Sequence, residues 1–445
     1  MVDTLYLLDS ENHFADGCFE NITFGEHGIV LEHEDGAYNQ RGCFISDEIK
    51  TCEFSALIAS WNCDTPENTS VELEVSVKTQ DGFSEYFSYG SFSPFILRGG
   101  KSGQNKTSNG VSMDNDIIKI DGAATAFKFK MNLYSNDVES TPCLRLLAAT
   151  VKPVHFEARD GGDVTRTVRV PAYSQLIRDP SSACETSAPV TAAMLMNRFG
   201  EDVLPDEISH ICYDKLTRGY SNGSFVMAAA GCWGYEAYVK FTDIEGLKKE
   251  IKNGFACGAC IRCIEDEEPD TVKAHFGALA GHPPIHTLAV CGFETDTDGV
   301  QHVIVNNPYS YTDEGARRRC TVEEFKRAWT GVAYILHEKK NVPTLCPPKR
   351  VCAQLRAAEL PCEFALYING ERRSLAKNFC DTGTICYALR EERAFATTAH
   401  RRFYYAKVSE CGNILMDTGT IPAGTRLTMF VVTATGVMYV AEHKI

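Results

Sequence analysis

Two runs early in the chain, VELEVSV (71–77) and FKFKMNL (127–133), alternate apolar and polar residues without a break. Successive side chains of an extended strand point to opposite faces, so a period of two demands a sheet with one buried and one wet face. Related runs, HGIVLEHEDG (27–36) and CEFSALIASWNC (52–63), are set apart by Gly, Asp and Asn turn residues. The pattern predicts an antiparallel β-sandwich, jelly-roll-like, over residues 1–155, with LRGGKSGQNKTSNG (97–110) as a long polar loop.

The texture changes after FEARDGGDVTRTVRVP (156–171), which reads as a linker. PVTAAMLMNRFG predicts a helix closed by Gly200, and DIEGLKKEIKNG a second helix from about 243 to 253 closed by Gly254. Strand-like runs FACGACIRC, IHTLAVCGF and QHVIVNNP follow. Next comes TVEEFKRAWTG, whose Thr321 and Glu324 form a capping box, and then VAYILHEK. Residues 156–342 are expected to form one α+β domain. Beyond the break at NVPTLCPPKR (341–350), Asn369-Gly370 between two strand-like runs signals a type I′ hairpin, and residues 343–445 are expected to be a small all-β domain.

Composition narrows the function. A formal charge of -15 argues against nucleic acid and against an anionic membrane surface as partners. No stretch reaches the roughly 18 apolar residues of a spanning helix. The start, MVDTLYLLDSENHF, lacks the basic region of a signal peptide, so a cytoplasmic location is expected. Nineteen cysteines is an odd number, and many lie in apolar runs where Cys acts as a small hydrophobe. A reactive cysteine must therefore be singled out by its surroundings.

Cys184, in SSACETSAPV, stands one turn before a stripe of Ala188, Ala192, Leu195, Met196 and Phe199, at the N-terminal end of the predicted helix. The helix N-terminus and a nearby imidazolium favour thiolate, although a buried structural cysteine is the ordinary alternative. Gln175 lies nine residues earlier in a loop that returns to the helix, where its amide can donate to an oxyanion alongside the Cys184 N–H. His286 opens an apolar strand. Asn307 ends the next strand, directly before Pro308, where its side chain can orient the imidazole.

The order Gln, Cys, His, then Asn before Pro resembles the papain-like cysteine peptidases, and within them the bacterial C39-like group. The segments that carry the resemblance are CETSAPVTAAM, HTLAVCGF and VIVNNP. SFVMAAAGCWGYEAYVKFTDIEGLKKEIKNG and TVEEFKRAWTGVAYIL are similar to the family's intervening and closing regions. The N-terminal segment also resembles the β-sandwich that precedes this domain in related proteins. The resemblance implies a papain-like fold, Cys184 as nucleophile, His286 as general base and acid, Asn307 as its orienter and Gln175 as oxyanion donor. It implies hydrolysis of a peptide or protein substrate with no metal or other cofactor. The chain departs from the family pattern at Glu185, where Gly or Ser is common and where a carboxylate turned inward opposes thiolate. It departs again at Asn307, where relatives mostly carry Asp.

Rival readings remain. CGACIRC (257–263) has a CxxCxxC spacing, but positions three apart on a strand face opposite ways, which suits a core strand better than zinc. His282 is the rival base, and His302 reads as a residue at a strand start. Ser181, Ser182 and Ser187 lack a G-x-S-x-G context. In another class, the sandwich would bind a glycan or protein surface beside an impaired peptidase-like domain, with Tyr86, Phe87 and Tyr89 as exposed aromatics, although core packing is the more frequent reason for such residues. An acyl transferase of transglutaminase type would use the same triad.

Overall fold

The computed structural model describes residues 4–66, 68–94, 107–176, 183–201, 203, 205–214, 217–262 and 285–339. In the C-terminal part it describes residues 350–353, 362–368, 371–372, 378–380, 385–395, 398–408, 414–417, 426–433 and 438–444. The protein is multi-domain and mostly β-strand, with few helices and several sheets. It divides into two compact units, the first holding every described element through Lys339 and the second the strands from Arg350 onward. Among the described residues no helix is long and apolar enough to cross a membrane.

In the first unit, the N-terminal strands are all antiparallel and are organised by four long ones, β1 (Ile49–Asp64), β2 (Thr69–Thr79), β3 (Ile117–Ser135) and β4 (Cys143–Pro153). The start of β3 pairs with β1, while Ala126–Ser135 pair with β2 along its whole length. Val71, Leu73, Val75 and Val77 of β2 face Phe127, Phe129, Met131 and Leu133 of β3, and all eight are fully buried. Burying each such side chain stabilises the fold by about 1.5–3 kcal/mol before the entropy of ordering it. Phe87 and Tyr89 belong to this core, the more frequent reading for such aromatics, and are not exposed as the binding reading needs: a strand at Phe87–Phe92 pairs with β2, and the Tyr89 hydroxyl accepts the Ala59 N–H.

The central part is a second antiparallel sheet. Its helices are α1 (Ser187–Asn197), α2 (Pro205–Cys212), α3 (Gly223–Cys232), α4 (Ile244–Asn253) and α5 (Val322–Ala328). Its strands are β5 (Tyr235–Phe241), β6 (Cys257–Arg262), β7 (Ile285–Thr295), β8 (Gln301–Asn306), β9 (Arg317–Thr321) and β10 (Trp329–Lys339), in the order β5-β10-β6-β7-β8-β9. The stretch expected to be a linker is built into this sheet. Arg166–Thr167 pair with β7, Val164, Val168 and Val170 are buried, and Arg159 bonds to Asp243 and Glu245 of the α4 cap.

The two layers of the first unit meet where β5 presents its outer edge. An unpaired strand edge is a liability that must be covered. Side chains of β1 and β4 cover it: the Ala237 N–H donates to Asn62, the Val239 N–H to Ser60 and the Phe241 N–H to Thr150, while Asn62 donates back to the Ala237 carbonyl at 2.7 Å.

The second unit holds two antiparallel sheets, one of Arg350–Ala353, Ile414–Asp417, Thr398–Val408 and Ile385–Phe395, the other around Cys362–Ile368, Arg426–Thr433 and Met438–Lys444. Ile368 pairs with Glu371, so the strands flank the position of the expected hairpin, whose residues Asn369 and Gly370 lie outside the described residues.

Candidate active site

Helix α1 places the candidate nucleophile. Every residue from Ser187 to Met196 is buried, so the helix has no wet face and the expected stripe does not exist. It packs on β7 and β6 and is flanked by α2 and α3. Thr186 is the N-cap, and Cys184 lies in the turn Ala183–Glu185 ahead of it, not in the helix. The helix ends at Asn197, three residues before Gly200, whose positive φ of 91° follows the final turn. Pro189 sits in the first turn, where its missing N–H costs the helix nothing.

Outside the helix, the Cys184 side chain is exposed. Glu185 is exposed as well, so its carboxylate stands in water and not against a buried thiol. Apart from Cys18, the other described thiols are buried or half-buried. Burial pushes Cys143 and Cys260 up to about 11 and Cys291 and Cys320 up to about 12. These remain neutral thiols, and thiolate is the nucleophilic form. Among the described cysteines, only Cys18 and Cys184 are exposed.

Gln175 is fully buried, and its Nε2 donates to the carbonyl of Ala183, the residue before Cys184, at 2.7 Å. Its backbone N–H donates to the Pro308 carbonyl, so one residue ties the nucleophile turn to the end of β8. An amide nitrogen carries two hydrogens, and the second is left for another acceptor.

His286, 3% exposed, donates from Nε2 to Asn307 Oδ1 at 2.6 Å. Asn307 Oδ1 also accepts the Tyr309 N–H at 3.0 Å, and the Asn307 N–H donates to the Ala316 carbonyl. Held from both sides, the amide fixes the neutral imidazole as its Nε2–H form, which leaves Nδ1 as the basic nitrogen. Ser187 and Thr287 then join the two halves: the Ser187 hydroxyl accepts the Thr287 N–H, and Thr191 donates to the Thr287 carbonyl. Gln175, the Cys184 turn, His286 and Asn307 are thus brought to one corner of the sheet by hydrogen bonds among their immediate neighbours.

His302 sits between two strands, with Nδ1 near the Val300 carbonyl and the Arg319 guanidinium. Cys257 and Cys260 are buried in β6, and Cys260 is next to Thr287. Cys263, His282, Ser181 and Ser182 lie outside the described residues. Two site residues escaped the sequence reading. Tyr309 sets its ring edge-on to the imidazole at 6.0 Å, and Ser187 bridges α1 to β7. The position of Tyr309, two residues past Asn307, was the available signal for the first; nothing local pointed to the second.

A β-rich chain with a helix laid across an antiparallel sheet, and a thiol, an imidazole and an amide at one corner, is cysteine-peptidase-like in class. Residues 167–335 match the Peptidase C39-like family and residues 8–151 match the peptidase C39 N-terminal domain, and the chain belongs to the C39-like peptidase family. No curated protein matches it.

Proposed function

We propose that the protein is a papain-like cysteine peptidase acting on a peptide or protein substrate, with residues 156–342 as the catalytic domain, 1–155 as a jelly-roll-like sandwich and 343–445 as a small β domain. Cys184 attacks the carbonyl carbon and His286 takes the thiol proton through Nδ1. The oxyanion is met by the Gln175 amide and the Cys184 N–H. His286 then delivers the proton to the leaving amine, and water hydrolyses the thioester. Asn307 holds the ring in register throughout, and being neutral it does so by orientation without adding charge.

The observation that carries this reading is the His286–Asn307 bond of 2.6 Å, with Gln175 tethered both to Pro308 beside Asn307 and to Ala183 beside Cys184. Two measurements test it. Iodoacetamide should label Cys184 much faster than Cys18, the other exposed described thiol. A peptide-library digest read by mass spectrometry should show cleavage by the wild type and none by Cys184→Ala. Equal labelling of the two cysteines, or cleavage surviving the substitution, removes Cys184 as the nucleophile.

A further inference from the structure

Nineteen cysteines are spread along the chain, and the strand registers show which of them meet. Among the described strands of the first unit no cysteine faces another: Cys143 is opposite Asp64, Cys260 opposite Thr287 and Cys320 opposite Val303. The described cysteines of that unit are free thiols. The second unit differs at one point. Cys362 and Cys380 are directly opposite each other in an antiparallel pair, the only place among the described strands where cysteine faces cysteine.

Two strands fix this pair. On one side β11 (Cys362–Ile368) is matched along its whole length, from Cys362 opposite Thr433 to Ile368 opposite Leu427. On its other side it takes β12 (Asn378–Cys380), with Phe379 opposite Glu363 and Asn378 opposite Phe364, and the register runs through all three pairs without a shift. Within the sheet β12 pairs with β11 alone, so it lies at the margin and three residue pairs are all that hold it there. Directly opposite residues of an antiparallel pair share a face, with Cα atoms about 4.5 Å apart when they are not hydrogen-bonded and about 5.5 Å when they are. A disulfide needs Cα atoms about 4.4–6.8 Å apart. Either kind of pair meets that requirement, so the two residues can be joined without moving the backbone.

We propose that Cys362 and Cys380 form a disulfide in the presence of a low-molecular-weight disulfide of the glutathione type, a redox-sensitive staple that holds β12 to β11. One cysteine thiolate attacks a sulfur of oxidised glutathione, forming a mixed disulfide and releasing one glutathione thiolate. The facing thiolate then attacks the protein sulfur of that mixed disulfide and displaces the second glutathione. The S–S bond of the small disulfide is broken and the Cys362–Cys380 bond is made. The two electrons and two protons that the protein gives up leave in two molecules of reduced glutathione. The bond closes a loop between residues eighteen apart in the chain, and a cross-link of that kind removes freedom from the unfolded state. Neither cysteine belongs to the site at Cys184, so the inference is independent of the catalytic reading.

The test equilibrates the full-length protein with mixtures of oxidised and reduced glutathione, blocks the remaining thiols with N-ethylmaleimide, and digests without reduction for mass spectrometry. A peptide pair joined through Cys362 and Cys380, two hydrogens lighter than the two reduced peptides together, should dominate even with reduced glutathione in about tenfold excess over the oxidised form. Dithiothreitol should then lower the melting temperature of the oxidised wild type by more than about 5 °C and leave Cys380→Ser where it was. Cys362→Ser should behave in the same way, and it decides the matter if Cys380→Ser does not fold. Recovery of Cys362 and Cys380 as maleimide adducts, as separate glutathione adducts, or each joined to some other cysteine overturns the proposal. A linked pair whose reduction leaves the melting temperature unchanged overturns the staple.

Discussion

Gln175 and Glu185 stand on either side of Cys184 in the chain and have opposite environments, which separates their expected effects. Gln175 is fully buried, with its amide committed to the nucleophile turn, so Gln175→Ala should remove a preorganised donor from the oxyanion. Loss of one such donor costs about 10²-fold in kcat, and steady-state kinetics should show that loss with KM little changed. An unchanged kcat would remove Gln175 from the oxyanion site. Glu185 is exposed, and exposed charges are screened by water and salt. Glu185→Gln should therefore change the rate of Cys184 alkylation by less than about twofold at physiological ionic strength. A tenfold gain would mean that the carboxylate does oppose the thiolate. Where the chain departs from the family pattern, the side chain ahead of the helix is exposed to water.

At the scale of single elements, signals written locally were legible and those written by packing were not. Asp243 and Gly254 bound α4 as expected, and Thr321 and Glu324 form the capping box of α5, because a cap needs only residues a few positions apart. The places of His286 at the start of β7 and of Asn307 just past β8 were readable too, since a strand begins or ends there. The start of α1 was misplaced, and its stripe was an illusion. A run as apolar as Ala192–Met196 looks periodic whichever face is chosen, and only the sheet and flanking helices determine that all faces are covered. Nor could spacing find His337 on β10, which lies between Glu236 at 3.3 Å and Glu250 at 3.0 Å. Burial alone would lower its pKa, but the hydrogen bonds that the ring donates to the two carboxylates outweigh burial and hold it up at about 9. Because the folded value is raised, the stabilisation is fully present below the unfolded value near 6.5 and is lost as pH rises through about 9. Its size is on the order of 3 kcal/mol at most. Urea unfolding of the wild type should weaken between about pH 7 and pH 10 relative to His337→Phe, whose own curve lacks this component. Parallel curves would show that His337 is neutral in the fold.

For the first unit as a whole, the decisive contacts are those that no sequence pattern marks, because they join residues far apart in the chain. Asn62, Ser60 and Thr150 lie in strands whose alternation predicts only that they face away from the core of the N-terminal layer; what they face is the open edge of β5. Around them Phe225 of α3 packs against Trp61 and Phe92 at 5.9 and 5.8 Å, and the Ser224 hydroxyl donates to the Ala59 carbonyl. An interface in which backbone donors of one layer depend on side chains of the other cannot open without leaving buried polar groups unpaired, at about 1–3 kcal/mol each. The two layers should therefore unfold together. In calorimetry of the full chain, Asn62→Ala removes the partner of both the N–H and the carbonyl of Ala237, for an expected loss of about 2–4 kcal/mol. The transition that carries the central sheet should move down in temperature by the same amount as the one that carries the N-terminal sheet, because they are one transition. If the substitution instead splits the melting curve, with the N-terminal sheet holding its temperature while the central sheet melts earlier, the layers are independent modules and the edge contact is incidental to both.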